Sequence, residues 1–342
     1  MGGVGRCKRR DSGYNRVRAA GGAGKDWQGL LESLMKQYVI VILAVGLMTA
    51  VVGCGGSGPA AANSAAQEAW VSTLPSELGA AHEKLANGKA SKALKLVEKW
   101  KEANGDSEYM DKALYLEGKA YFAKKLYYQA YKAYEELLDG YATSELFSEV
   151  LEQEVEIARL FLAGAKRKVW KVFPISARSD AIVILERVTE RWPGSALAGQ
   201  ALMMQADYYM SQKRYLEAQQ TYQLVVEHYK DSPYYLQALR QNAEATYAQY
   251  HGSRYDTVCL EEARIRYQRY HREAPGKMDR AEIDGQLDII EHYQVAKELE
   301  IADFYRRTGQ IAAARYYWNS ICQRWGDTDK TAQAQVLLEE YQ

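Results

Sequence analysis

The sequence predicts an all-α, right-handed α-solenoid of about six helix-turn-helix repeats plus a C-terminal capping helix. Three observations predict it. The 342 residues include only 6 prolines, and beyond the first sixty they are rich in Ala, Leu, Glu, Lys, Gln and Tyr, which favour helix over strand. An alanine followed by large apolar residues four and seven positions later occurs six times: Ala93 before Val97 and Trp100, Ala130 before Tyr134 and Leu137, Ala181 before Leu185 and Val188, Ala218 before Tyr222 and Val225, Ala263 before Tyr267 and Tyr270, Ala314 before Trp318 and Ile321. That spacing places each trio on one helix face. Twelve residues upstream of four of these alanines stands another small residue, Ala81, Gly118, Ala206 or Ala302, and in three of the four a tyrosine follows three positions later (Tyr121, Tyr209, Tyr305).

In chain order, residues 1–53 are expected to be an export signal, 54–73 a lipidated flexible tether, and 74–342 the solenoid. Val39 to Val52 is a mostly apolar run with Lys36 just before it. A membrane span needs about 20 residues, so this run suits the core of a signal peptide. It ends in Val51-Val52-Gly53-Cys54, followed by Gly55-Gly56-Ser57-Gly58-Pro59. Small residues and a cysteine directly after an apolar core resemble the bacterial lipobox, in which the cysteine carries the lipid, so Cys54 is the expected attachment site. Met35-Lys36-Gln37 ahead of the core suggests that translation starts at Met35. By analogy with diderm sorting, Gly55 in place of Asp points to the periplasmic face of the outer membrane. One acyl chain binds a bilayer marginally and two or more anchor it. The tether, some 18 flexible residues, reaches about 25 Å r.m.s..

Zero net charge conceals an asymmetry. Residues before Cys54 hold eight Lys/Arg and three Asp/Glu, and removing them from 44 of each leaves 36 basic and 41 acidic side chains. A mildly acidic body argues against a nucleic-acid partner.

The small residue, the tight turn and the alanine stripe together make the tetratricopeptide pattern, in which helix A and helix B cross at small side chains. The six alanines lie 37, 51, 37, 45 and 51 residues apart. Val169 and His251 occupy the small-residue position in the third and fifth units, so insertions are expected there. Ser195 after Pro193-Gly194, and Ser232 before Pro233, read as N-caps. Gly309 reads as a helix end, Pro275-Gly276 as a break between the fifth and sixth pairs, and Thr331 to Tyr341 as the cap. Most of the 27 tyrosines are expected to plug between helices. Cys259 and Cys322 are either two small buried thiols or a pair bridging neighbouring repeats.

Trp192-Pro193-Gly194-Ser195, Ala206-Asp207-Tyr208-Tyr209, Tyr215 with Ala218, Tyr222 and Tyr229 to Pro233 together resemble the outer-membrane assembly lipoprotein family, BamD (also called YfiO). The stretch Glu300 to Tyr305, Gly309, Ala312 to Arg315 and Asp327-Thr328 is similar to that family's last repeat. The resemblance spans about residues 35–342. It implies a scaffold of the machinery that inserts β-barrels into the outer membrane. The implied partners are the barrel insertase BamA, other subunits of the assembly complex, unfolded outer-membrane proteins and, through the lipid, the membrane. The chain departs from the family in having six candidate repeats rather than five, and in carrying the insert Lys166 to Ile175. The alternative is another tetratricopeptide lipoprotein scaffold, serving pilotin-like secretin assembly or cell-envelope coordination. Coordinators usually bear an N-terminal coiled coil, and residues 55–90 show no sustained heptads.

Two sites are expected. Helix A of such a repeat lines the inner groove, which points to Lys112, Tyr115, Lys119 and Phe122 in the second unit and Gln200, Met203, Asp207 and Met210 in the fourth. Mixed aromatic, Met and charged residues suit an extended peptide, against the plainer reading of a solvated inner face. The insert, with Lys168, Trp170, Lys171 and Phe173, either touches a partner or anionic headgroups or packs back on the solenoid. No catalytic residue, metal or cofactor is expected. His82, His228, His251, His271 and His292 are scattered, and no P-loop, nucleophile elbow or dinucleotide fingerprint occurs.

Overall fold

The computed structural model describes residues 70–169, 173–252, 257–274, 276, 279–325 and 329–341. Met35, Cys54, Trp170, Lys171, Pro275 and Asp327-Thr328 lie outside the described residues, as do the proposed signal and most of the tether. A short 3-10 turn, Trp70–Thr73, ends the N-terminal unit of the chain, and the helical unit begins at Leu74.

The helical unit contains α1 (Ser76–Ala86), α2 (Ala90–Ala103), α3 (Met110–Ala123), α4 (Tyr127–Gly140), α5 (Phe147–Leu162), β1 (Lys166–Val169), β2 (Phe173–Ser176), α6 (Arg178–Arg191), α7 (Ala196–Ser211), α8 (Tyr215–His228), α9 (Tyr235–Tyr247), α10 (Val258–Glu273), α11 (Arg280–Arg307), α12 (Ile311–Arg324) and α13 (Asp329–Glu340). Consecutive helices pair as α1/α2, α3/α4, α5/α6, α7/α8, α9/α10 and α11/α12, each pair packs on the next, and α13 closes the end. The fold is an all-α, tetratricopeptide-like solenoid of six hairpins and a cap. Odd-numbered members of the pairs are A helices and even-numbered members are B helices.

The B-helix stripe forms the core. Every one of the six alanines is fully buried, and their partners at the fourth and seventh positions, from Val97 and Trp100 to Trp318 and Ile321, are buried with them. Ala81, Ala206 and Ala302 are fully buried where the A helices cross. At Gly118 an added Cβ would lie 2.6 Å from Cδ1 and 2.7 Å from Cζ of Tyr134, so only glycine admits the Tyr134 ring of α4 against α3.

Seven residues beyond each small residue the chain turns through a left-handed backbone. Gly88, Lys125, Lys213 and Gly309 follow Ala81, Gly118, Ala206 and Ala302, with φ of 69°, 58°, 59° and 77°. Gly164 holds the same role after Ile157. Counting back from it locates the crossing residue that Val169 obscured, and Ile157 is fully buried. In the fifth unit helix A ends at Tyr247, and Gly252 lies within the connection that follows.

The uneven spacing now has causes. In the third unit the A–B turn carries the antiparallel hairpin β1/β2, in register Lys166 with Ser176, Arg167 with Ile175, Lys168 with Pro174 and Val169 with Phe173. This qualifies the expectation of helix throughout: Val169, Phe173 and Ile175 are strand formers, and Pro174 is tolerated because a two-stranded ribbon has only edge strands. In the fifth unit the connection from Ala248 to Thr257 is lengthened. In the sixth, α11 runs for 28 residues. Its Ile283 and Ile290 join the core of the fourth and fifth hairpins, and its Val295 and Ala302 join the terminal core around Trp318.

Caps behave largely as read. The Ser195 hydroxyl accepts the Ala198 amide at 3.0 Å. Ser232 is a correction: α9 starts at Tyr235, and the Ser232 hydroxyl instead accepts the Tyr234 amide at 3.2 Å, fixing the turn before the helix. The cap starts at Asp329 rather than Thr331, and its Leu337, Leu338 and Tyr341 pack on the Trp318 core. Cys259 and Cys322 form no disulfide, and both are half-buried.

One joint is ionic. Arg191 of α6 pairs with Glu135 at 2.5 Å and with Asp139, both on α4, and Arg187 also pairs with Glu135. Glu154 of α5 lies beneath them, fully buried, with Arg191 at 3.9 Å. Burial pushes the Glu154 carboxyl up to about 8 against the pull of Arg191. The folded state therefore keeps a proton that the unfolded chain releases above about pH 4.5, and stability falls as pH rises from there to about 8.

Two outcomes follow. Gly118→Ala should lower stability by about 1–3 kcal/mol in urea unfolding, because α3 and α4 must separate to admit the methyl group. Glu154→Gln should match wild type near pH 4.5 and become progressively more stable than it towards pH 8. Parallel melting curves across that range would show that Glu154 titrates normally in the fold.

Candidate binding groove

The A helices stand side by side: α1 touches α3, α5 touches α7, and α11 touches α13. Their shared face is where the sequence placed a groove, and the structure sorts the eight expected residues into three groups.

Some belong to seams between successive A helices. Lys112 of α3 pairs with its neighbour Asp111 at 3.0 Å and with Glu145, just before α5, at 2.9 Å. Tyr115 donates its hydroxyl to Glu149 of α5 and accepts a bond from Lys119 at 3.0 Å; Lys119 lies 3.8 Å from Glu149. Tyr115 is only 2% exposed, which corrects its assignment to an open groove surface. Its ring packs towards Tyr134, and burial, then the Glu149 carboxylate, push its phenol far above the ordinary range. Asp207 is exposed but accepts the Tyr222 hydroxyl at 2.5 Å and is also bonded by Gln241 of α9. Burial raises its carboxyl above the usual value, and the Tyr222 bond opposes that. These side chains fasten one hairpin to the next.

Others belong to the core. Met203 is 3% exposed and packs inside the core shared by α7 to α10, a second correction to the expected groove; Met210 is half-buried against the same core. The periodicity that put Met203 on helix A was sound, but it did not distinguish the face towards helix B from the face towards solvent. Phe122 is half-buried, edge-on to Tyr127 with ring centroids 5.2 Å apart, and Tyr127 in turn meets Phe161.

Gln200 lines an open cavity. It has a volume of about 410 Å³ and lies between α5 and α7, reaching the residues that lead into α9. Val155 and Leu197 supply apolar walls, Glu152, Glu156 and Arg159 supply charge, and Pro233 and Tyr234 close one end. The α5 residues were missed because the β-hairpin insert displaced the third unit's small-residue signal to Val169. Gly164, a glycine at a helix end, was the available marker of where helix A stops.

The described part of the insert is solvent-exposed along β2. Phe173 is 60% exposed, and Lys168 is exposed opposite Pro174. Arg167 ties the base of the hairpin to Asp180 at 3.1 Å and covers the Tyr128 ring at 5.0 Å. Trp170 and Lys171 lie outside the described residues. Among the described residues no group of three or more His, Cys, Asp or Glu side chains is arranged to hold a metal ion, and no helix is long and apolar enough to cross a membrane.

No protein-family model and no curated protein matches the chain. Solved structures similar to it include a thermophilic TPR protein from Thermus thermophilus, at 16% identity over 62% of this chain and 97% of that one, TM-score 0.29. A tetratricopeptide repeat protein from Parabacteroides merdae shares 10% identity over 78% and 97%, TM-score 0.37. The apo form of RapI shares 11% over 82% and 81%, TM-score 0.37.

The division between core and cavity is measurable. Met203→Ala should cost about 2–5 kcal/mol of unfolding free energy. Gln200→Ala should stay within about 0.5 kcal/mol of wild type. Comparable losses at both positions in denaturant titrations would contradict the assignment.

Proposed function

We propose that this protein is a non-enzymatic, lipid-anchored scaffold of the β-barrel assembly machinery that binds the barrel insertase and unfolded barrel segments through its A-helix face. The observation that carries the binding reading is the open cavity on a face formed by successive rigid helices. Stacked hairpins preorganise such a surface, so little ordering cost falls on the scaffold when an extended segment docks. The insertase is the favoured partner because the Trp192 to Ser195, Ala206 to Tyr209 and Glu300 to Arg315 motifs resemble the assembly lipoprotein family and follow a lipobox-like Cys54. Gly55 after that cysteine supports the periplasmic face of the outer membrane. Confinement to two dimensions would raise the effective concentration of other membrane-held partners. The exposed insert around Lys168 and Phe173 is a second contact surface in this reading.

Crosslinking mass spectrometry on native membranes tests the partner. Links from the helical unit to the barrel insertase are expected; links confined to a secretin or to peptidoglycan-synthesis proteins would replace this reading with the alternative. Cys54→Ser should release the protein from the envelope fraction, and unchanged retention would remove the lipid anchor.

A further inference from the structure

The β1/β2 ribbon has two outer edges, and they are not equivalent. Pro174 lacks an amide hydrogen, so the Lys168–Pro174 pair is a non-hydrogen-bonded one, and by alternation so is Lys166–Ser176. Residues in such pairs aim their own N–H and C=O away from the partner strand. The outer edge of β1 therefore presents the amide and carbonyl of both Lys166 and Lys168. The outer edge of β2 presents Pro174, which cannot donate. The sheet has only these two strands, and among the described residues no backbone hydrogen bond from another segment reaches Lys166 or Lys168. Their side chains share one face of the ribbon and are exposed, whereas Arg167, on the other face, is held by Asp180 at 3.1 Å. Residues 163–179 contain five Lys/Arg and no Asp/Glu, in a body that is otherwise mildly acidic.

We infer that the β1 edge receives an extended segment of a partner polypeptide as a third strand, with Asp or Glu at alternate positions opposite Lys166 and Lys168. An open main-chain edge is complemented by another strand. Opposite charges directly across a strand pair stabilise it, and like charges oppose it. The same two lysines disfavour a second copy of this chain, because β1 paired antiparallel with itself about Arg167 sets Lys166 against Lys168. Pro174 confines addition to one edge, so the ribbon takes one strand and does not propagate. The inference rests on the reading of the insert as a contact surface and names the chemistry that this surface selects.

The test uses the full chain and two fluorescein-labelled decapeptides, one alternating Glu and Thr, the other Lys and Thr, with binding read by fluorescence anisotropy. The Glu peptide should bind wild type at least tenfold more tightly than the Lys peptide. Lys166→Glu with Lys168→Glu should reverse that preference. N-methylation of the Glu residues, which keeps their charge and removes their main-chain donors, should weaken the Glu peptide at least tenfold. Lys92→Gln with Lys95→Gln, two exposed lysines on α2, should leave both affinities unchanged. Thermal melts matching wild type confirm that each variant is folded. An unchanged preference in the Lys166/Lys168 variant would overturn the inference, as would an equal loss in the Lys92/Lys95 variant, which would reduce the preference to overall charge. Undiminished binding of the N-methylated peptide would refute strand addition. Self-association that the Lys166/Lys168 variant abolishes would make a second copy the occupant. Binding to phosphatidylglycerol vesicles lost in that variant, with both peptides inert, would make the occupant an anionic bilayer. Either result replaces the inference. Crosslinks from the helical unit to the insertase would persist in all these cases, so the hairpin chemistry can fail while the scaffold reading stands.

Discussion

Two helices approach only as closely as the side chains at their crossing permit, and every hairpin of this protein is set by that distance. At the second hairpin the limit is absolute: Gly118 of α3 lies against the Tyr134 ring of α4, with no room for a methyl group. Ala81, Ala206 and Ala302 serve in the first, fourth and sixth hairpins, and Ile157 takes the place in the third. Close approach then lets one B-helix stripe bury a large side chain at each turn, such as Tyr134, Tyr222, Tyr267 and Trp318. Each of these buries a large apolar area, and such area dominates the favourable side of folding. The left-handed residue seven positions on is the corollary: a short connection between closely crossed helices needs a sharp reversal. Lys125 and Lys213 hold that conformation at a modest cost that their glycine counterparts avoid.

The periodic part of this architecture was legible in the residues. Six alanine stripes became six buried stripes, Ser195 became a cap, Gly309 a left-handed helix end, and Val169 and His251 marked two genuine insertions. What stayed hidden was set by contacts between distant segments. Nothing in the local spacing of Met203 says that it faces α8 rather than solvent, and Tyr115 reads as groove-lining until Glu149, 34 positions on, claims its hydroxyl. The β-hairpin was read only as an insert because four-residue strands are too short for alternation to stand out. The cavity was hidden for the same reason as α5: the insert moved the third unit's expected crossing residue out of its helix.

Polar contacts carry the joints between hairpins, and they differ in quality. Asn242 is a satisfied one. It donates to Gln223 at 2.8 Å and accepts from Arg266 at 2.7 Å, so a single buried amide ties α8, α9 and α10 together. A buried group whose bonds are all made specifies register at little cost. Glu154 is the opposite: a fully buried carboxyl whose nearest cation, Arg191, is engaged by Glu135 and Asp139. Keeping its proton is the cheaper solution. The strength of the joint between the second and third hairpins therefore follows pH.

This division of labour explains how a cavity can open in a solenoid without weakening it. Hairpin stability resides in the A–B crossings, where truncating one large buried side chain costs about 2–5 kcal/mol. The ion pairs at the second–third and fifth–sixth seams are half-exposed and contribute about 0–1 kcal/mol each. The α5–α7 seam has none among the described residues, and Glu152 stands exposed on a wall held in place by Val155 and the buried faces of both helices. Because the walls are fixed by contacts on the far side, their spacing does not depend on what enters. The shape of that surface is thus set by the core, while its charge is set by side chains such as Glu152, Glu156 and Arg159 that contribute little to folding.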